Sequence, residues 1–336
     1  MRVWFNHWFS TAYHLVNLMK EANPDEFTMV GSSWNELAIY KRACDEWYEE
    51  PKNLDEEQYV EFCLEFCKNH NIDIFVPRTK LVAIVENADR FKELGVKLFA
   101  DTNAEKIRML SDKLDTYDYF KEKGFECIPE VRIVNSVDEF AKAYEELTAV
   151  YSKVCYKLTV DEGAMSFRVI DDSVNSLSAV LQRPGAKISF DNALRVLEQY
   201  DFSIPVMLMP YLDEVEVSVD CLYTASGNIM VPRFKAGSRY SEVIFDKEVM
   251  EICERMINTL QIKMPMNIQF KKREGKLYLL EINTRMSGGL QLSCEATGIN
   301  IPSIAINQLL GNELEWKYPE ITSQRLANIE TPICLY

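Results

Sequence analysis

Up to about residue 100, short β-forming runs alternate with stretches of helical periodicity, and this alternation constrains the chain more than any other feature. Strand, helix and strand in succession pack as a parallel sheet with crossover helices, so an α/β layer is expected here. The expected strands are 2–5, 27–31, 73–77 and 97–100, and helical periodicity covers 57–69 and 81–94. The first βα turn, NHWFSTAYH, contains no glycine. Without G-x-G-x-x-G a backbone cannot close on a pyrophosphate, so no dinucleotide site is expected in this first domain.

The patterning then changes twice. Segment 101–111 reads as a linker and helix start, and 112–123 as a helix closed by Gly124. Strands at 129–133, 154–159 and 206–210, with helices at 137–149 and 191–200, give an α+β block. From residue 215 the pattern is antiparallel: 214–223 and 229–235 flank a turn at 225–228, and 266–271 and 277–283 flank a turn at 273–275. Helices 246–260 and 301–310 complete this part, and a polar, proline-containing tail follows.

A chain of 336 residues is long enough for two or three subdomains with cores of their own. Its net charge of -15 repels nucleic-acid backbones and anionic lipid, which leaves small-molecule chemistry; neither nucleic acid nor membrane is an expected partner. The nine cysteines are scattered, and Cys63 and Cys67 share a helix face without nearby histidine. They read as buried thiols in a reducing cytoplasm, not as zinc ligands. Polar residues interrupt the N-terminal MRVWFNHWFSTAYHLVNLMK, so neither a signal segment nor a membrane span is expected there.

The stretch that carries chemistry is NIQFKKREGKLYLLEINTR, residues 267–285. Side chains alternate across a strand, so Leu277, Leu279, Glu281 and Asn283 share one face, with Arg285 following, while Tyr278, Leu280 and Ile282 share the other. The preceding antiparallel strand puts Asn267 and Gln269 on a single face. Gln269, Glu281 and Asn283 then offer a carboxylate and two amide oxygens, a set that suits Mg2+ and hence a metal-bound nucleotide. The plainer account of Glu281 and Asn283 is a strand ending at the surface. Against it stands the following Met-Ser-Gly-Gly, which adds flexible backbone beside ligand and cation.

Residues from about 105 to 311 resemble the ATP-grasp superfamily, and NIQF with LLEINTRMSGGLQLSCEATGINIP is similar to its carbamoyl-phosphate-synthase-like branch. The family reads E-I-N-P-R where this chain has Thr284 in place of Pro. The resemblance implies an N-terminal Rossmann-like (pre-ATP-grasp) domain at 1–104, ATP-grasp subdomains at 105–206 and 207–311, and a tail at 312–336. It implies ATP with Mg2+ or Mn2+, bound through Gln269, Glu281 and Asn283. Arg285 would meet the transferred phosphoryl group and the acyl oxyanion.

Further positions carry over by the same resemblance. Lys113 matches the D-K that opens the fold and would contact phosphate; the plainer account is a solvated helix lysine. Lys157 lies among apolar neighbours in VCYKLTV, where a buried cation needs an anion. The alternative is an edge-strand lysine facing solvent. The strand MLMPYL would read adenine through its backbone, with Met209, Tyr211 and Leu212 lining the base. Glu216 would accept from ribose hydroxyls, although Glu214, Glu216, Ser218 and Asp220 also read as one solvated strand face. Arg233 and Lys235 would face phosphates and substrate, or else pair across the hairpin with the acidic face. The family's glycine-rich phosphate loop is here VDEGAMS, residues 160–166, with a single glycine. Asp161 and Glu162 in it would oppose a triphosphate, while Ser166 and Arg168 would donate to it.

The implied activity is an ATP-dependent ligase that activates a carboxylate as an acyl phosphate and passes it to an amine or thiol. The alternatives are a small-molecule kinase and a nucleotide-binding regulatory module without turnover. Closure of 160–166 and of 235–241 over the site is expected to exclude water. The first domain is expected to help choose the carboxylate through Arg78 and the aromatic turn 5–14, though Arg78 also reads as a surface cation and Trp4, Trp8 and Phe9 as core. A homodimer is the assembly kept open.

Overall fold

The computed structural model of the chain describes residues 1–22, 25–161, 165–174, 185–237, 240–320, 323–329 and 331–334. Strands β1 (Arg2–Phe5), β2 (Thr28–Ser33), β3 (Glu46–Glu49), β4 (Ile74–Val76) and β5 (Lys97–Leu98) pair in parallel in the order β3-β2-β1-β4-β5. Trp4 stacks between Phe66 and Phe75 at 4.2 and 4.1 Å, so this ring is core. The helix Ala12–Ala22, with Leu15, Val16 and Met19 fully buried, was hidden in the sequence behind its mixed polar residues.

A second sheet is built from β6 (Arg132–Val134), β7 (Val154–Leu158), β8 (Arg168–Ile170), β9 (Lys187–Ile188) and β10 (Val206–Pro210), in the order β6-β10-β7-β8-β9. The third contains β11 (Glu216–Leu222), β12 (Ile229–Lys235), β13 (Tyr240–Ile244), β14 (Met266–Arg273), β15 (Lys276–Asn283) and β16 (Ser323–Ala327), in the order β15-β14-β11-β12-β13-β16. Two of its connections follow from backbone chemistry. Between β14 and β15 only Glu274 and Gly275 remain, at φ 51° and 75°, the left-handed pair that a tight hairpin requires. Between β11 and β12, Gly227 sits at φ 126°.

Two expectations need correction. The segment 101–111 is mostly helix, Ala104–Ser111, with Ile107 and Leu110 buried. The tail supplies β16, which pairs antiparallel with β13 from Tyr240↔Ala327 to Ile244↔Ser323. Met1–Leu110, Val215–Phe270 and Glu281–Tyr336 form one compact unit, and Ser111–Glu214 with Lys271–Leu280 another. All nine cysteines are unpaired; seven are buried, and burial lifts the thiols of Cys155 and Cys294 to about 12. Among the described residues no helix is long and apolar enough to cross a membrane.

Candidate active site

Strand β15 buries Leu277, Leu279 and Ile282 and ends, from Glu281 on in the first unit, in half-buried polar groups. Asn283 Nδ2 donates to Glu281 Oε1 at 3.0 Å, so these two predicted ligands stand side by side. On β14, Gln269 is half-buried, and its Nε2 donates to Asn267 Oδ1 at 3.0 Å. Each amide thus turns its nitrogen to a neighbour, which leaves the carbonyl oxygens of Gln269 and Asn283 as the atoms a cation would meet. Oxygen donors of this kind fit Mg2+. Among the described residues no three His, Cys, Asp or Glu side chains cluster as metal ligands, so a cation here would depend on one carboxylate, amide oxygens, water and phosphate.

Arg233 is buried, 4% exposed, and held by polar partners. Its Nε donates to Asp220 Oδ2 and to Ser293 Oγ at 3.0 Å, and Nη2 to Ser287 Oγ at 3.1 Å and Ser218 Oγ at 3.3 Å. Asp220 also accepts from Ser287 and Ser293 at 2.6 Å and from Asn267 Nδ2 at 2.9 Å. The buried charge is therefore fully answered. Ser218 and Asp220 are 2% and 1% exposed, which corrects the solvated-face reading of β11. The same contacts explain Met-Ser-Gly-Gly: Ser287 bridges acid and guanidinium, and a Cβ on Gly289 would lie 2.7 Å from Arg233 Cζ. Close approach, not flexibility, requires that glycine. Lys235 pairs with Glu216 across the hairpin, both side chains about one-third exposed at 38% and 29%, so the two residues assigned to substrate and ribose hold each other here. Arg285 Cζ lies 5.5 Å from the Phe9 ring.

In the second unit, Lys113 is the first residue of the helix Lys113–Glu122, N-capped by Asp112. It is not a solvated helix lysine. Its Nζ is 2.6 Å from Asp161 Oδ1, and the two side chains are 6% and 7% exposed. Asp161 Oδ2 accepts from Ser166 N at 3.2 Å and from its hydroxyl, and Ser166 Oγ in turn accepts from Leu158 N at 2.9 Å. Asp161 thus engages both groups assigned to phosphate. Arg168 donates to the carbonyls of Met165 and Phe167. Glu162 and the rest of 162–164 lie outside the described residues, as do 238 and 239 in the second expected closing segment.

Burial alone would raise the Asp161 carboxyl, but the hydrogen bonds from Lys113 and Ser166 outweigh it and hold the pKa below the ordinary value. The pair therefore stabilises above the unfolded pKa near 4, and that contribution is lost as pH falls through the lower folded value. Asp161→Asn is expected to cost about 3 kcal/mol in urea unfolding at pH 7. The gap should narrow as pH falls below the unfolded pKa; a gap that does not change with pH would contradict the assignment.

Lys157 is 7% exposed on β7, which lies between β10 and β8, so the edge-strand account does not apply. β10 pairs with β6 only from Val206 to Leu208, and Met209 and Leu212 are buried beside Cys155, Val169 and Leu280. Tyr211 N donates to Lys153 O at 2.9 Å, and the Lys271 ammonium lies 4.8 Å from the Tyr211 ring. Of the backbone groups assigned to adenine, this one is already engaged.

A family model described as ATP-grasp in the biosynthetic pathway with Ter operon matches residues 203–332. The carbamoyl phosphate synthase large chain of Clostridium botulinum is 25% identical over 283 residues, 75% of this chain and 24% of that one. The biotin carboxylase domain of Hydrogenobacter thermophilus 2-oxoglutarate carboxylase, in complex with MgADP, ADP and bicarbonate, aligns with TM-score 0.67 at 16% identity, covering 94% of this chain and 71% of that one. N5-carboxyaminoimidazole synthetase from Staphylococcus aureus, complexed with ADP, gives 0.66 at 14%, covering 94% and 78%. Over residues 203–332 the chain is similar to ATP-grasp proteins, and its fold is that of these solved structures. The chain spans only about a seventh to a quarter of the curated relatives it matches, 15% of one and 24% of another. Met209 to Arg285 lie inside the matched segment, whereas Lys113, Lys157 and Ser166 lie outside it. Asp161, Asp220 and Asn267 are the polar residues whose roles the sequence reading missed, and each gave only a charge or amide of correct parity as a signal.

Proposed function

We propose that this chain is an ATP-dependent ligase of the ATP-grasp type that joins a carboxylate to an amine, or to a thiol, with release of ADP and phosphate. The observation that carries the reading is the Glu281–Asn283 pair at the end of β15, with Gln269 on β14 and Arg285 two residues on, all in oxygen- and cation-rich chemistry. When bound, Mg2+ or Mn2+ would neutralise phosphate charge. Gln269, Glu281 and Asn283 would hold it. Lys113 and Lys157 bind phosphate oxygens, the β10 end with Met209, Tyr211 and Leu212 receives adenine, and Glu216 accepts from ribose. Ser166 donates to phosphate once Asp161 releases it. Arg233 is the scaffold beneath, in place of the phosphate contact the resemblance implied.

A substrate carboxylate oxygen attacks the γ-phosphorus, and the bond to ADP breaks. Lys235 and Arg285 spread the charge. The amine then attacks the acyl carbon, Arg285 steadies the oxyanion, and phosphate leaves as the amine loses its proton. The N-terminal sheet would serve as the pre-ATP-grasp domain, the substrates would be small molecules, a homodimer would be the assembly and the cytoplasm the compartment. ADP and phosphate release measured over a panel of carboxylates with amines tests the reading. At least one pair should raise release well above the nucleotide-only rate. Bound nucleotide with silence in every mixture would make the chain a regulator, and a persisting phosphorylated acid would make it a kinase.

A further inference from the structure

At the carboxyl ends of β1, β2 and β4 lies a cavity of about 360 Å³, bordered on its polar side by His7, Ser10, Ser33, Asn35 and Arg78. In the order β3-β2-β1-β4-β5 the chain leaves β1 to one side for β2 and to the other for β4, and ligands sit where such a sheet changes direction. The polar wall is firmly built. Buried Glu50 accepts from His7 N at 2.8 Å and from Ser32 Oγ at 2.7 Å, His7 Nδ1 lies 2.7 Å from Ser33 Oγ, and the His7 ring stacks on Trp34 at 3.3 Å. Buried Asn6 accepts from Arg78 N at 2.8 Å.

The opposite wall is apolar, made by Leu37, Ala38 and Ile39, and Leu37 and Ile39 are 60% and 40% exposed. Phe9 joins the cavity to the chemistry. The guanidinium of Arg78 lies 5.6 Å from its ring and that of Arg285 5.5 Å, while a Cβ on Gly288 would lie 3.7 Å from Phe9 Cε2. Arg78 lines this small amphiphilic cavity and Arg285 shares the Phe9 ring with it, so a carboxylate and its body have cations to meet here.

Resting on the ligase reading, we infer that this cavity selects the acceptor: a small carboxylic acid carrying both an apolar side chain and a hydrogen-bonding group, an amino or hydroxy acid. Its carboxylate lies between Arg78 and Arg285, its amino or hydroxyl group meets Ser10, Ser33, Asn35 or His7, and its side chain covers Leu37 and Ile39. Bicarbonate would leave most of the volume empty.

The test is equilibrium binding to the full chain without nucleotide, by calorimetry with L-leucine, 2-hydroxy-4-methylpentanoate, bicarbonate and decanoate, alongside ADP release with each. Binding of either of the first two acids, weakened at least tenfold by Arg78→Gln and by Leu37→Trp at the exposed rim, supports the inference. Circular dichroism of both variants checks folding. Such binding without any ADP release would keep the pocket and remove the ligase reading. ADP release driven by an acid whose KM is unmoved in both variants would keep the ligase reading and overturn the pocket. Failure of every amino and hydroxy acid to bind or turn over overturns the pocket as well.

Discussion

Replacing Arg233 by alanine is expected to lower unfolding stability by about 3–5 kcal/mol, because it leaves the Asp220 carboxylate buried without its cation. Asp220 is 1% exposed and, among the described residues, keeps Ser287, Ser293 and Asn267 as donors once the guanidinium is gone. In a unit of this size the midpoint should fall by roughly 10 °C. Gly289→Ala, which drives a methyl into the same guanidinium, should move it the same way by about 1–3 kcal/mol. Thermal unfolding with and without nucleotide checks both. A folded Arg233→Ala chain that keeps its midpoint and loses only nucleotide affinity would return Arg233 to the phosphates.

The opposite split is expected at Glu281. Its carboxylate is half-buried at the strand end and accepts from Asn283 Nδ2 at 3.0 Å. Glu281→Ala should therefore change stability by less than about 1 kcal/mol, within the range of surface substitutions. Turnover should fall by roughly two to three orders of magnitude, the scale of removing one preorganised charge contact from a phosphoryl-transfer site. Steady-state ADP release at saturating Mg2+ checks this. A fall of less than about fivefold would remove Glu281 from the metal.

The hairpin that carries Gln269, Glu281 and Asn283 was legible because alternation and a tight turn are local properties of residues 267–285. The Gly124 stop was legible for the same reason: helix-end chemistry is written in consecutive residues. Elsewhere the information is tertiary. β16 reads SQRLA and is mostly exposed, so no apolar alternation marks it; only its partner β13 makes it a strand. The helix Leu290–Thr297 starts at Gly289 with no side-chain cap, which removes the usual start signal. Arg233 and Lys235 share one face of β12, and parity alone does not separate them. Register does: Arg233 lies opposite Ser218, diagonal to buried Asp220, whereas Lys235 reaches the half-exposed Glu216. Asp161 was read as a charge facing phosphate, but it turns to Lys113, 48 positions earlier in the chain.

The account rests on activation of a carboxylate by direct phosphoryl transfer, and the most direct measurement is oxygen tracing. A carboxylate substrate from the ADP-release panel, labelled with 18O in its carboxyl group, is turned over with MgATP and its amine, and the phosphate is analysed by mass. The account predicts one 18O atom in each phosphate released together with ADP. Phosphate carrying only solvent oxygen, or AMP and pyrophosphate in place of ADP and phosphate, would contradict it.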